Sequence, residues 1–530
     1  MRKSPLAGLA LCASLVFADT YPRQPGVDVQ HYIFRVALND ENDEIAGEAT
    51  VVLRFVQDGV TSFTLDLTSP ANGKGMTVAE VTSEGAGLKY THESDRLVVI
   101  LPAARQAGDL GRYTVKYSGV PGAGLKFVKN KYGERTCFST NWPDLARQWL
   151  PTIDHPYDKA TSEFLITAPA RYQVVANGLL QEMIDLGDGR RMTHWKQSVP
   201  IATWLNNIGV AEFAMRNFGA AAGVPLQTWV FPQDRDAGMA TFEAPTRQAI
   251  EFYGDHIGPY PYEKLADVEA AGMGGGMEHA SAIFFGERSV ANRPAFSLVA
   301  HETAHQWFGD SVTEKDWDDV WLSEGFATYF ALLASEHYEG RDAFVAGLKR
   351  SRAGIFAFEK SLPGAAVFQA KPWKGIPNGI VYQKGAWALH MLRGQIGTAK
   401  FWDGIREYYR RYRDGNASTG DLRKVMEEVS GADLGWFFEQ WIYRGGLPVV
   451  EGAWQYNPES KKIEIELLQT QSGDAYRLPI DVAVRGAAQA VKIEMTAKRQ
   501  KFEVAAEQAP SGVELDPNTW ILMNAHFARK

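Results

Sequence analysis

The residues best placed to do chemistry lie in Leu298-Val299-Ala300-His301-Glu302-Thr303-Ala304-His305-Gln306-Trp307-Phe308, where apolar residues recur with helical period. Four residues make about one helical turn, so His301 and His305 share a face and can offer two imidazole nitrogens to one ion. Glu302 projects beside them, where a carboxylate can take a proton from a metal-bound water. A third ligand is available in Glu324, nineteen residues after His305, within Trp321-Leu322-Ser323-Glu324-Gly325-Phe326-Ala327 at the start of a second predicted helix. Two histidines and one glutamate leave the fourth tetrahedral position open, which is the arrangement of a catalytic zinc rather than a structural one. One zinc ion per chain is therefore expected. The longer three-histidine form of the motif is excluded, because its Gly and His positions hold Phe308 and Ser311. Two ordinary histidines on an amphipathic helix would be the plainer reading, but it leaves Glu324 unexplained. The other histidines outside this region, His31, His92, His155, His194, His256, His337, His390 and His526, have no ligand spacing.

The elements that hold these residues follow from apolar periodicity. From His31 to about Phe213 short runs alternate apolar and polar residues, as in Tyr32-Ile33-Phe34-Arg35-Val36 and Arg96-Leu97-Val98-Val99-Ile100, which predicts antiparallel β structure. From about Ala214 to Gly446 spacings of three and four predict helices at 295–309, 320–338, 380–396 and 419–429, the last capped by Ser418 or Thr419 and ended by Gly431. After Gly445-Gly446-Leu447-Pro448 the alternation returns in Lys462-Ile463-Glu464-Ile465-Glu466-Leu467 and Ala490-Val491-Lys492-Ile493-Glu494-Met495. The expected fold is multidomain α+β, with an N-terminal antiparallel β domain at 19–213, a mainly helical catalytic domain at 214–446 and a small C-terminal β-sandwich at 447–530.

Length and composition agree, since 530 residues exceed what a single core organises, and 45% hydrophobic with 22% charged residues suits a folded chain. Arg2 and Lys3 precede an apolar stretch from Leu6 to Phe17 that ends at Ala18, the pattern of a signal peptide at 1–18 cleaved near Ala18. A secreted or periplasmic chain is expected. Its apolar run is too short to span a bilayer. Removing the leader with Cys12 leaves Cys137 as the sole thiol, so no intramolecular disulfide can form. A formal net charge of −8 and the absence of basic clusters argue against nucleic acid as a partner.

Gly275-Gly276-Met277-Glu278-His279, 22 residues before His301, resembles the G-x-M-E-N motif of the M1 aminopeptidase family. Gly258-Pro259-Tyr260-Pro261-Tyr262-Glu263-Lys264-Leu265 is similar to the family's lead into that motif. Val381-Tyr382-Gln383-Lys384-Gly385-Ala386 resembles a later one, its tyrosine 58 residues after Glu324, and Ala146-Arg147-Gln148-Trp149-Leu150-Pro151 resembles a segment of the family's N-terminal β domain. The resemblance implies a thermolysin-like catalytic domain and the short form of the family, without its helical C-terminal domain. It implies that Glu278 binds the substrate's α-ammonium, that Gly275 and Gly276 let the backbone pair with an extended peptide, and that Met277 lines the first side-chain pocket. It also implies that Tyr382 stabilises the oxyanion. Two positions depart from the pattern. His279 stands where the family has Asn, and Thr140-Asn141-Trp142 stands where it carries a second amine-binding acid.

Together these expectations describe a monomeric zinc aminopeptidase acting on peptides with a free amino terminus, with Glu302 as general base. A thermolysin-type endopeptidase would need His301, Glu302, His305 and Glu324 but not Glu278. An inactive peptide-binding module would be expected to lack a ligand or the base, and all are present. An epoxide hydrolase of the same superfamily would need a lipid-shaped pocket that no sequence feature marks.

Overall fold

Lys159–Pro169 shows how the first part of the chain becomes sheet: Ala160, Ser162, Phe164, Ile166 and Ala168 are buried and the residues between them are not. In a computed structural model of the chain, which describes residues 19–368 and 379–530, this strand lies inside an eight-stranded sheet. It runs parallel to Val27–Ala37, with His31 opposite Thr161, and antiparallel to Arg190–Ala202. A four-stranded and a three-stranded sheet complete the β region up to Ala211. Cys137 is buried and free. The expected leader and its cleavage point at Ala18 lie outside the described residues.

The residues just after Phe213 differ from the expected helical pattern. Ala214–Ala221, Val224–Val230, Leu265–Ala270, Ala282–Gly286 and Gly276–Met277 form a five-stranded mixed sheet in that order, interrupted by helix α1 (Arg235–His256). Every residue of Leu265–Ala270 and of Ala282–Gly286 is buried: Asp267 and Glu269 alternate in the first without marking a solvent face, and the second carries no polar residue at all. The short Gly276–Met277 strand pairs antiparallel with Phe284–Phe285 and forms the sheet's edge.

Helices take over from α2 (Phe296–His305), followed by α3 (Trp321–Glu339) and α4 (Arg341–Ser361). A π-helical stretch at Gly379–Lys384 leads into α5 (Gly385–Ile396), and α6 (Thr398–Tyr412) and α7 (Thr419–Ser430) complete the bundle. Ser418 rather than Thr419 caps α7, in a reciprocal box with Asp421, and Gly431 ends it in the left-handed region at φ 70°. Phe308, just past α2, packs on Phe326 and Phe330 of α3 with centroids 4.6 and 5.3 Å apart, which fixes α2 and α3 against each other. Gly325 of α3 lies against the backbone of Gly385, and this close approach draws the π-helical stretch and Tyr382 toward Glu324.

Beyond Gly446, a four-stranded sheet and a three-stranded sheet form the C-terminal β part. Ile463, Ile465 and Leu467 are buried in the first, and Leu478, Ile480 and Val482 in the second. The Lys384 ammonium, just before α5, donates to the Gly446 carbonyl at the start of this part at 3.0 Å, and His390 Nε2 of α5 donates to that of Thr519 at 2.9 Å. Among the described residues no helix is long and apolar enough to cross a membrane.

Candidate active site

One turn of α2 separates His301 from His305, and their Nε2 atoms approach to 3.2 Å. The first turn of α3 adds Glu324, whose Oε2 stands 3.6 Å from His301 Nε2 and 3.3 Å from His305 Nε2. That oxygen is buried with no hydrogen-bond partner, while Oε1 accepts the Tyr382 hydroxyl at 2.7 Å. The Tyr382 ring in turn stacks over His301, centroids 6.1 Å apart. His305 Nδ1 lies 3.3 Å from the Phe308 carbonyl and 3.0 Å from Ser323 Oγ. A carbonyl can only accept, so Nδ1 carries the proton and Nε2 presents its lone pair to the point that the three donors share.

Glu302 is 5% exposed and accepts no hydrogen bond among the described residues. Gly276 passes directly over it, and a side chain there would overlap the Glu302 carboxyl group; the preceding Gly275 turns the chain at φ 70°. Glu278 follows on the same loop. Its carboxylate, a His305 ring nitrogen and a Glu324 oxygen all lie within 4.8 Å of one another. Burial, with repulsion from Glu324 and against attraction from His305, pushes the Glu278 carboxyl up to about 7. Burial and the neighbouring Glu278 push Glu302 further above the carboxylate range. A divalent charge beside them favours the ionised forms of both. Burial and the Glu324 carboxylate hold Tyr382 well above the ordinary phenol range, so its hydroxyl keeps its proton. Met277 is mostly packed into the core at 8% exposure.

Several supporting residues, some of them inside the motifs, were given no role by the sequence. Gln306 clamps the Gly275–His279 loop, donating to the Glu278 carbonyl at 2.8 Å and to Asp310 at 2.8 Å while accepting from Tyr260 and from Ser281 N. Lys264 donates to the carbonyls of Ala176 and Ser281, which anchors Ser281 in the left-handed region at φ 64°. Asp310 and Glu314 are buried acids just beyond α2, and both Glu314 oxygens are unpartnered among the described residues. The acids in the otherwise neutral Trp307-Phe308-Gly309-Asp310-Ser311-Val312-Thr313-Glu314 were the available signal. His279 is fully buried edge-on against Phe284, and burial holds its ring neutral, with the pKa lowered to about 3. Asn141 is committed to structure, accepting from Trp149 Nε1 and donating to the Asn206 carbonyl. Trp142 packs edge-on against Trp317. The segment Thr140–Trp142 thus adds no acid to the site.

Residues 28–205 match the peptidase M1 N-terminal domain and residues 242–441 the peptidase family M1 domain. The chain belongs to peptidase family M1. This M1 chain is 28% identical to glutamyl aminopeptidase of Mus musculus over 405 residues, 71% of its length and 43% of the relative's. It is 26% identical to a probable aminopeptidase 1 of Sulfurisphaera tokodaii over 465 residues, 81% of its length and 56% of the relative's. It spans about half the length of the curated relatives it matches. Among solved structures, a mutant M1 zinc metallopeptidase from Deinococcus radiodurans superposes with TM-score 0.70 at 27% identity, covering 80% of this chain and 96% of that one. A structure of that metallopeptidase bound to a Tyr-Ser-Ala substrate gives TM-score 0.67 at 27% identity, covering 79% and 94%.

Zinc is the cofactor of this M1 chain, and the donor set fits it. Ligands held ~2.0–2.1 Å from a tetrahedral ion stand about 3.4 Å apart, and the three donor separations here run from 3.2 to 3.6 Å. The orphaned Glu324 Oε2 is the atom such an ion would satisfy.

Proposed function

We propose that this M1 chain is a zinc aminopeptidase that hydrolyses the first peptide bond of peptides with a free amino terminus. The observation that carries the reading is the Glu278 carboxylate, held within 4.8 Å of ligand atoms of His305 and Glu324 at the end of an edge strand. A carboxylate there pairs with an α-ammonium and leaves room for about one residue before the scissile carbonyl. The outer side of Gly276–Met277 is free to pair with an extended peptide, main chain to main chain.

Zinc held by His301, His305 and Glu324 supplies a Lewis acid that polarises the carbonyl and makes water a competent nucleophile at neutral pH. Glu302 takes the proton of the attacking water and delivers it to the leaving amine. Tyr382, whose hydroxyl rests on Glu324 Oε1 at 2.7 Å, donates to the oxyanion as the carbonyl becomes tetrahedral. Gly275 and Gly276 set the peptide's path, and Met277 backs the first side-chain pocket. The chain works as a monomer with units at 19–213, 214–446 and 447–530, secreted or periplasmic after cleavage of 1–18.

Blocking the substrate amine tests this. A leucyl reporter amide should be cleaved and its N-acetyl form should lose at least a hundredfold in kcat/KM; equal turnover of both would make the chain an endopeptidase.

A further inference from the structure

A cavity of about 540 Å³ opens beside His301, walled by Ser297 and Leu298 of α2, Thr328, Ala331 and Leu332 of α3, Gly347, Arg350 and Ser351 of α4, and Gln383 next to Tyr382. It exists because α4 approaches α3 where Gly347 meets Leu332 and approaches the π-helical stretch where Gly354 meets Gln383. Glu278, the proposed ammonium ligand, groups with His305 and Glu324. The cavity is lined by His301 and by none of Glu278, Glu302, His305 or Glu324. A peptide anchored at Glu278 and passing the donors toward His301 would carry the residues that follow the scissile bond into this cavity.

The polar atoms that meet it there are unsatisfied. Ser351 Oγ and Gln383 Oε1 are buried without hydrogen-bond partners among the described residues. Arg350 is exposed and forms no ion pair or hydrogen bond among those residues. The other titratable group among the described residues of this wall is the His301 imidazole, which burial keeps neutral, so no carboxylate among them competes for the guanidinium. The remaining surface is the apolar side chains of Leu298, Ala331 and Leu332 with the hydroxyl residues Ser297 and Thr328. A guanidinium with free donors over an apolar, hydroxyl-bearing floor recognises a planar carboxylate.

We infer that Arg350 is a specificity-determining residue that binds a carboxylate on the residue after the scissile bond. The inference rests on the aminopeptidase reading, since Glu278 sets the direction of the peptide. Such a carboxylate has two sources: the C-terminus of a dipeptide, or an acidic side chain in second position. Either would place Ser351 Oγ and the Gln383 amide within reach of the substrate.

The test uses the zinc-loaded full chain and Arg350→Gln, with two matched peptide pairs and a leucyl reporter amide that has no carboxylate. Leu-Ala against Leu-Ala-amide reads the terminal carboxylate, and Leu-Glu-amide against Leu-Gln-amide reads the side chain. The wild-type chain should prefer the carboxylate member of at least one pair by about tenfold, through KM. Arg350→Gln should abolish that preference and leave reporter turnover unchanged, while Arg350→Lys should keep part of it. No preference in either pair, or a preference that survives in Arg350→Gln, overturns the inference. Failure of the wild-type chain to cleave the reporter would count against the aminopeptidase reading instead. In that event calorimetric binding of Leu-Ala and Leu-Ala-amide to Glu302→Gln, with and without Arg350→Gln, still decides the role of Arg350.

Discussion

In the proposed mechanism Glu302 and Tyr382 act on opposite ends of the same bond rearrangement, and substitution separates them. Glu302→Gln keeps the side chain's shape beneath Gly276 but cannot accept a proton, so kcat should fall by ~10²–10⁴-fold with zinc content unchanged by elemental analysis. Tyr382→Phe keeps the ring stacked on His301 and removes one donor; kcat and kcat/KM should fall together by ~10²–10³-fold, with KM little altered. A rise in KM alone would make Tyr382 a ground-state contact. Glu302 was readable in the sequence because metal chemistry ties residue type to spacing, His301, Glu302 and His305 needing one helix and Glu324 the next, whereas Tyr382 came only with the resemblance of residues 381–386 to a family motif. Arg350 and Gln383 were not legible. Their relation to the zinc donors exists only once Gly347 lets α4 settle on α3, and no local pattern encodes a contact between helices.

At the scale of elements, Leu265–Ala270 explains both a missed strand and a pH response. Its alternation of Asp267 and Glu269 with apolar residues spans only 6 residues and, being fully buried, marks no exposed face, whereas Lys159–Pro169, 11 residues long and buried on one face, displayed its period openly. The same burial traps Asp267. One carboxyl oxygen accepts the Thr246 hydroxyl of α1 at 2.7 Å, and the other has no partner among the described residues. Burial is the main cause that raises its pKa to about 7, with Glu243 adding to it. The folded state therefore holds a proton that the unfolded chain releases near pH 4. Stability from this group is complete below about pH 4 and is lost as pH rises through about 7. Asp267→Asn cannot titrate, so its thermal midpoint should gain on the wild type by a few degrees between pH 5 and pH 8. A constant gap across that range would show that Asp267 is ionised in the fold.

Over the whole molecule, the proposed zinc site is where elements distant in sequence are pinned together. The ligands come from α2 and α3, and Tyr382 comes from the stretch that leads into α5. The loop after α2 is held from the N-terminal sheet by Lys159, whose ammonium donates to the carbonyls of Asp310 and Ser311 at 2.9 and 2.8 Å. Zinc binds the folded arrangement and not the dispersed chain, so it should stabilise by ~4 kcal/mol when free zinc exceeds its dissociation constant a thousandfold. Removing it with a chelator should abolish reporter cleavage and lower the thermal midpoint by several degrees, and added zinc should restore both. His305→Ala should melt where the chelated wild type melts and should not respond to zinc, because two donors no longer define the site. A chelated protein that kept its midpoint would mean that the aromatic packing of Phe308 on Phe326 and Phe330 holds α2 and α3 without help from the ion. The metal would then contribute to chemistry alone.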